Sequence, residues 1–104
     1  MDMTEALEQS RSGLLAEVYG ALQPLHLNQR TQQTYLHWIT RFILYHGLID
    51  ANQLAPSHRQ QFLDYLERRL SASRARINQA QQALAFFYER VLGQSLDQPA
   101  AQVG

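Results

Sequence analysis

A chain of 104 residues with 45% hydrophobic side chains is long enough for one domain around one core and too short for two. It lacks cysteine, which excludes disulfides and thiolate metal sites, and no apolar run approaches the roughly 18–20 residues needed to span a bilayer. The formal net charge is zero, but all nine basic residues are arginine, and they are unevenly placed: residues 1–23 carry a net −3 and residues 24–94 a net +4.

The first element is an acidic N-terminal helix, expected from about Thr4 to Tyr19 or Leu22. Thr4 is its candidate cap, and Glu5 and Glu8 suit the positive end of the dipole. Leu7, Leu14, Leu15, Val18 and Leu22 form its apolar stripe, which Gly13 weakens by up to about 1 kcal/mol. Gly20, Gly47 and Gly93 each follow a helical pattern, where C-terminal caps often lie.

A second helix is predicted from Gln29 to His46, capped by Asn28 and ended by Gly47. Tyr35, Trp38, Ile39, Phe42, Ile43 and Tyr45 give it the wide apolar stripe of a central bundle helix. A third should run from Pro56 to Leu70, with proline at the first helical position and Phe62, Leu63, Leu66 and Leu70 turned inward. Leu48, Ile49 and Leu54 should pack the loop before it. A fourth should start after Ser73 and end near Leu92, burying Ile77, Ala80, Leu84, Phe87, Tyr88 and Val91. The spans 4–22, 29–46, 56–70 and 74–92 describe an all-α orthogonal bundle of four to five helices. Residues 95–104 read as a flexible tail or the start of a linker near Pro99.

Catalytic motifs are missing from the sequence: no nucleophile elbow, glycine-rich phosphate loop, HExxH pair or EF-hand loop. The histidines at 26, 37, 46 and 58 lie 11, 9 and 12 residues apart, which is no metal-ligand pattern. No cofactor, metal or small-molecule substrate is therefore expected. Without a basic segment leading into an apolar one at the N-terminus, a cytoplasmic protein away from membranes is the simplest reading.

The polar faces point to nucleic acid. Arg30 and Thr31 occupy the first turn of the second helix, and Arg74 and Arg76 the first turn of the fourth. Helix N-termini offer unpaired N–H groups and the positive dipole end to phosphates. Gln33, His37 and Arg41 form a stripe at i, i+4, i+8. Asn78 and Gln82 form another, with Gln79 and Gln81 beside it. Arginine, asparagine and glutamine are the side chains that read base edges in the major groove. Against this, polar outer faces are normal in any bundle, and a GC-rich genome also explains arginine in place of lysine. Arg68 and Arg69 fit the bland reading of cations at a helix C-terminus.

The same residues carry a resemblance. Arg30-Thr31, Tyr35, Trp38-Ile39, Phe42-Ile43 and Tyr45-His46-Gly47 resemble the first motif of the core-binding domain of tyrosine recombinases, with the closest match to integron-type integrases. Leu54, Phe62-Leu63 and Leu66, then Arg76-Ile77-Asn78-Gln79-Ala80 through Ala83-Leu84, Phe86-Phe87-Tyr88 and Val91-Leu92, are similar to the rest of that module. The resemblance covers about residues 24–94.

It implies a SAM-like bundle that forms half of a clamp on double-stranded DNA, beside other protomers of the recombinase. It also implies DNA contacts from Arg30, Thr31, Thr34, His37 and Arg41, and from Arg74, Arg76, Asn78, Gln79 and Gln82. The family's catalytic arginines, lysine, histidines and tyrosine belong to a separate domain that nothing here matches. The chain is thus expected to be a noncatalytic piece of a larger integrase. The alternative is a helical protein-interaction module that kept the fold without binding DNA.

Overall fold

The computed structural model describes residues 3–96, with side chains from residue 5 onward. Five α-helices follow in order: α1 Met3–Ser10, α2 Leu14–Leu22, α3 Gln29–Tyr45, α4 Pro56–Arg68 and α5 Arg74–Phe86. Short 3₁₀ turns lie at Gln23–Leu25 and Ala51–Gln53, and a π-helical turn at Phe87–Val91 continues α5. The described residues contain no strand, so the architecture is the expected all-α bundle. The predicted cap at Thr4 and residues 97–104 of the expected tail, including Pro99, lie outside the described side chains and residues, while Leu96, placed in that tail, packs against the core.

Helix α3 is the axis of the core. The Asn28 side chain accepts a hydrogen bond from the Thr31 amide at 2.8 Å and so caps its start. At its end Gly47 takes a left-handed φ of 69°. The Leu48 amide then reaches the Ile43 carbonyl at 2.9 Å and the Gly47 amide the Leu44 carbonyl at 3.0 Å, a Schellman motif. Between these ends Leu36, Trp38, Ile39, Phe42 and Ile43 are buried. Phe42 lies at the centre, its ring 5.7 Å from Phe62, 6.4 Å from Phe87 and 6.0 Å from Tyr88. Ala80 and Ala83 of α5 are fully buried. Their small side chains let α5 pack closely along α3.

The single helix expected over 4–22 is two helices. Gly13 adopts φ 84°, a left-handed conformation that costs other residues about 1–2 kcal/mol. Glu8 does not serve the dipole of α1; its carboxylate reaches over the break and accepts from the amides of Gly13 at 3.0 Å and Leu15 at 3.1 Å. Those two bonds, the Gly13 bond first, hold its carboxyl below the usual carboxylate range. Arg11 closes the corner through Glu17 at 2.7 Å and Asn52 at 2.8 Å. Gly20 is not a cap and lies inside α2. Leu7, Leu14, Val18 and Leu22 join the common core, and the Ser10 hydroxyl donates to the Ile49 carbonyl at 2.8 Å.

Three further expectations shift. Helix α4 stops at Arg68, so Leu70 falls after the helix and is 46% exposed rather than buried. Tyr45 is 42% exposed, its ring lying across Tyr65 at 4.6 Å on the surface. The fourth helix reaches the expected region only by widening at Phe87, and the π turn allows Phe86, Phe87 and Tyr88 to be buried in succession. The Tyr88 hydroxyl donates to the Ala55 carbonyl at 2.6 Å, and burial pushes its pKa up to about 12. A histidine pair joins α3 to α4. The His46 Nε2–H donates to the His58 carbonyl at 2.9 Å, and His58 Nδ1 accepts from the Ala55 amide at 3.0 Å.

Candidate nucleic-acid interface

The N-terminal halves of α3 and α5 meet along an open cleft. One part, about 310 Å³, is lined by Arg30, Gln33, Thr34, His37, Trp38, Arg76 and Gln79. An adjoining part of about 290 Å³ shares Arg30, Thr34 and Gln79 and adds Thr31, Tyr35 and Gln82. No aspartate or glutamate lines either part. Two helix starts far apart in sequence thus present their side chains to one concavity.

Local rules explain why these residues meet. Ser73 accepts from the Arg76 amide at 3.2 Å, which begins α5 and places Arg76 in its first turn. Along α5, Arg76, Gln79 and Gln82 follow at three-residue steps and stay on the side facing α3. The expected pairing of Asn78 with Gln82 does not hold. Asn78 shares the i, i+4, i+7 stripe of Arg74 and Gln81, which lines a different groove with Glu67, Ala72 and Ile77. The ten expected positions therefore divide. Arg30, Thr31, Thr34, His37, Arg76, Gln79 and Gln82 line the cleft, and Arg41 lies between regions, over Trp38 and in a groove with Leu44, Tyr45, Phe62 and Tyr65. Arg74 and Asn78 look elsewhere. The Thr34 hydroxyl donates back to the Arg30 carbonyl at 3.1 Å.

The electrostatics of the cleft are concentrated. The guanidinium carbons of Arg41 and Arg76 lie 5.1 and 5.0 Å from the centroid of the Trp38 ring. The His37 ring meets the same indole edge-on at 5.2 Å. Burial lowers the His37 pKa from its ordinary value, and the nearby Arg41 and Arg76 charges lower it further. The shift favours the neutral imidazole, which carries one hydrogen-bond donor and one acceptor. Gln33 also lines the cleft; helical spacing puts it on the α3 stripe without showing that it faces α5. Trp38, expected as core alone, is 1% exposed and yet forms the floor under the cations.

A larger groove lies elsewhere, about 620 Å³ between Tyr45, Gln61, Asp64, Tyr65, Arg68 and Arg69. Its charge is mixed, and Asp64 accepts from the Gln60 side-chain amide at 3.0 Å. Among the described residues no group of three or more His, Asp or Glu could hold a metal ion. No helix among them is long and apolar enough to cross a membrane.

A family model described as phage integrase, N-terminal SAM-like domain, matches residues 14–98. Proteins named integrase/recombinase from Escherichia coli and Pseudomonas aeruginosa are each 40% identical over 81 residues, which cover 76% of this chain. The match spans 23% of the length of each relative.

Proposed function

This chain belongs to the phage integrase N-terminal SAM-like domain family, and from that premise we propose that its α3–α5 face docks on double-stranded DNA. The observation that carries this reading is the acid-free cleft in which Arg30, His37 and Arg76 converge with Gln33, Gln79 and Gln82, flanked by Arg41. The arginines supply phosphate contacts that set register, and the glutamines supply amides that suit base edges. Arg74 and Asn78 contribute at most from the flank. In a longer recombinase this domain holds the recombination site beside other protomers, and a separate domain performs DNA integration and strand exchange in the cytoplasm. Helices α1 and α2 act as part of the same folded unit through Leu7, Leu14, Val18 and Leu22.

The test is binding of the domain to a fluorescent duplex across a salt series. Counterion release gives a slope of log affinity on log salt of about 0.9 per phosphate contacted, so contacts from Arg30, Arg41 and Arg76 predict a slope of about −3. Absence of binding even at low salt rejects the reading for this domain. A second reading, a protein-interaction module, draws on the exposed Leu44, Tyr45 and Leu70 around α4. It predicts that substitutions there abolish partner capture and that the domain binds no duplex even at low salt.

A further inference from the structure

Trp38 has two structural relationships that the core alone does not require. It is the largest fully buried side chain, packed edge-on against Phe62 at 6.5 Å. Its ring also attracts two guanidinium groups from different helices, Arg41 at 5.1 Å and Arg76 at 5.0 Å. Both lie inside the range of about 6 Å over which an aromatic quadrupole attracts a cation, and tryptophan is the strongest such ring. Arg41 stands three residues further along α3. Arg76 crosses from the first turn of α5, where the Ser73 cap fixes its backbone. Among the described residues, neither arginine forms a salt bridge with a carboxylate. Two like charges are thus gathered on one ring without an anion between them.

We propose that Trp38 is a positioning residue for DNA, a buried platform that holds one arginine from α3 and one from α5 as a preformed pair for the phosphate backbone. This rests on the reading of the α3–α5 face as a DNA surface. The physical gain is preorganisation. A long arginine side chain already confined by the indole loses less freedom when it meets a phosphate. The platform also ties the relative placement of the two helices to the spacing of the cations. Helix packing alone would leave each arginine free to swing into solvent.

His37 reports on the arrangement without any DNA. Its imidazole touches the same indole, and its proton affinity is depressed by burial and by Arg41 and Arg76. Arg30 is the remaining charged side chain lining that part of the cleft. If the ring releases the arginines, the His37 pKa moves up toward its ordinary value. Control variants Arg41→Gln and Arg76→Gln measure how much of the depression each cation supplies.

The experiment compares the wild-type domain with Trp38→Phe, which keeps an aromatic core residue and weakens the platform. NMR of the free wild-type domain should show the side-chain δ and ε protons of Arg41 and Arg76 shifted upfield by the indole ring current. In folded Trp38→Phe those shifts should shrink and the His37 pKa should rise. Affinity for duplex DNA should fall about tenfold, the scale expected for two weakened cation–π contacts. The proposal is overturned by unshifted arginine resonances in the wild type, a readout that stands even if Trp38→Phe does not fold. It is also overturned if the variant loses affinity with the His37 pKa unmoved, or if that pKa moves with affinity unchanged. A wild-type domain that shows the ring-current shifts and binds no DNA keeps the arginine platform, removes its DNA role, and refutes the DNA reading itself.

Discussion

Two faces of this bundle combine arginines with aromatic rings, and they differ in what surrounds the charge. On the α3–α5 face, Arg30, Arg41 and Arg76 stand around Trp38 and His37, and no acid lines the cleft. At the end of α4, Arg68 and Arg69 stand around Tyr45 and Tyr65 with Asp64 among them, and Arg74 shares the neighbouring groove with Glu67. The second region holds the larger groove and as many arginines. The acids there neutralise much of the field that a phosphate would meet. Placement relative to acids, more than the number of cations, separates a candidate DNA surface from an ordinary solvated one.

The buried aromatics give the largest expected contrast. Trp38→Ala should cost about 3–5 kcal/mol in chemical denaturation, because the side chain is fully enclosed. Tyr45→Ala, at the other region, should cost only about 1 kcal/mol, since that ring is partly in water. Equal losses would mean that the two rings are buried alike, contrary to the structure.

DNA binding sharpens the comparison next. Replacing Arg30 and Arg76 by alanine should make the salt slope shallower by about 2, roughly one for each phosphate left without its arginine, with little change in melting temperature. Replacing Arg68 and Arg69 should leave the slope unchanged. Arg76→Ala should weaken binding more than Arg74→Ala, because the two residues face different grooves. The reverse order would place the DNA on the α4 side of α5.

A smaller effect tests the break between α1 and α2. Gly13→Ala has open space for its new methyl group, so any destabilisation is backbone strain at φ 84°, about 1–2 kcal/mol. A raised melting temperature would indicate one continuous helix instead, where alanine gains up to about 1 kcal/mol over glycine.

The smallest effect is one of pH. His37 and His46 both have pKa values lowered by burial, so the folded state binds fewer protons than the unfolded chain. Their contribution to stability is complete above the unfolded histidine pKa and is lost as pH falls through the folded values. The melting temperature should therefore drop between about pH 7 and pH 5. His46→Gln keeps a donor for the His58 carbonyl and should flatten that dependence in part. A melting temperature that rises on acidification would contradict the lowered pKa values.

Much of α3 is legible in the sequence because its signals are local. Asn28, the aromatic spacing and Gly47 each act within a turn of the backbone they shape. The break after α1 is hidden because the apolar stripe runs through it, and the decisive bonds come from Glu8 reaching five and seven residues ahead. The π turn arises from the need to bury three adjacent aromatics against a core the sequence does not display. The site is half legible for the same reason. The α3 stripe follows from helical spacing. The choice of Arg76, Gln79 and Gln82 over Arg74 and Asn78 depends on which side of α5 rests on α3, a tertiary fact.

The most direct measurement is an NMR titration of the domain with duplex DNA, following backbone and arginine side-chain resonances together. The account predicts that the largest shifts fall on Arg30, Gln33, His37, Arg41, Arg76 and Gln79, with Tyr45, Arg68 and Arg69 nearly still. Shifts centred on Tyr45, Tyr65, Arg68 and Arg69 would contradict it.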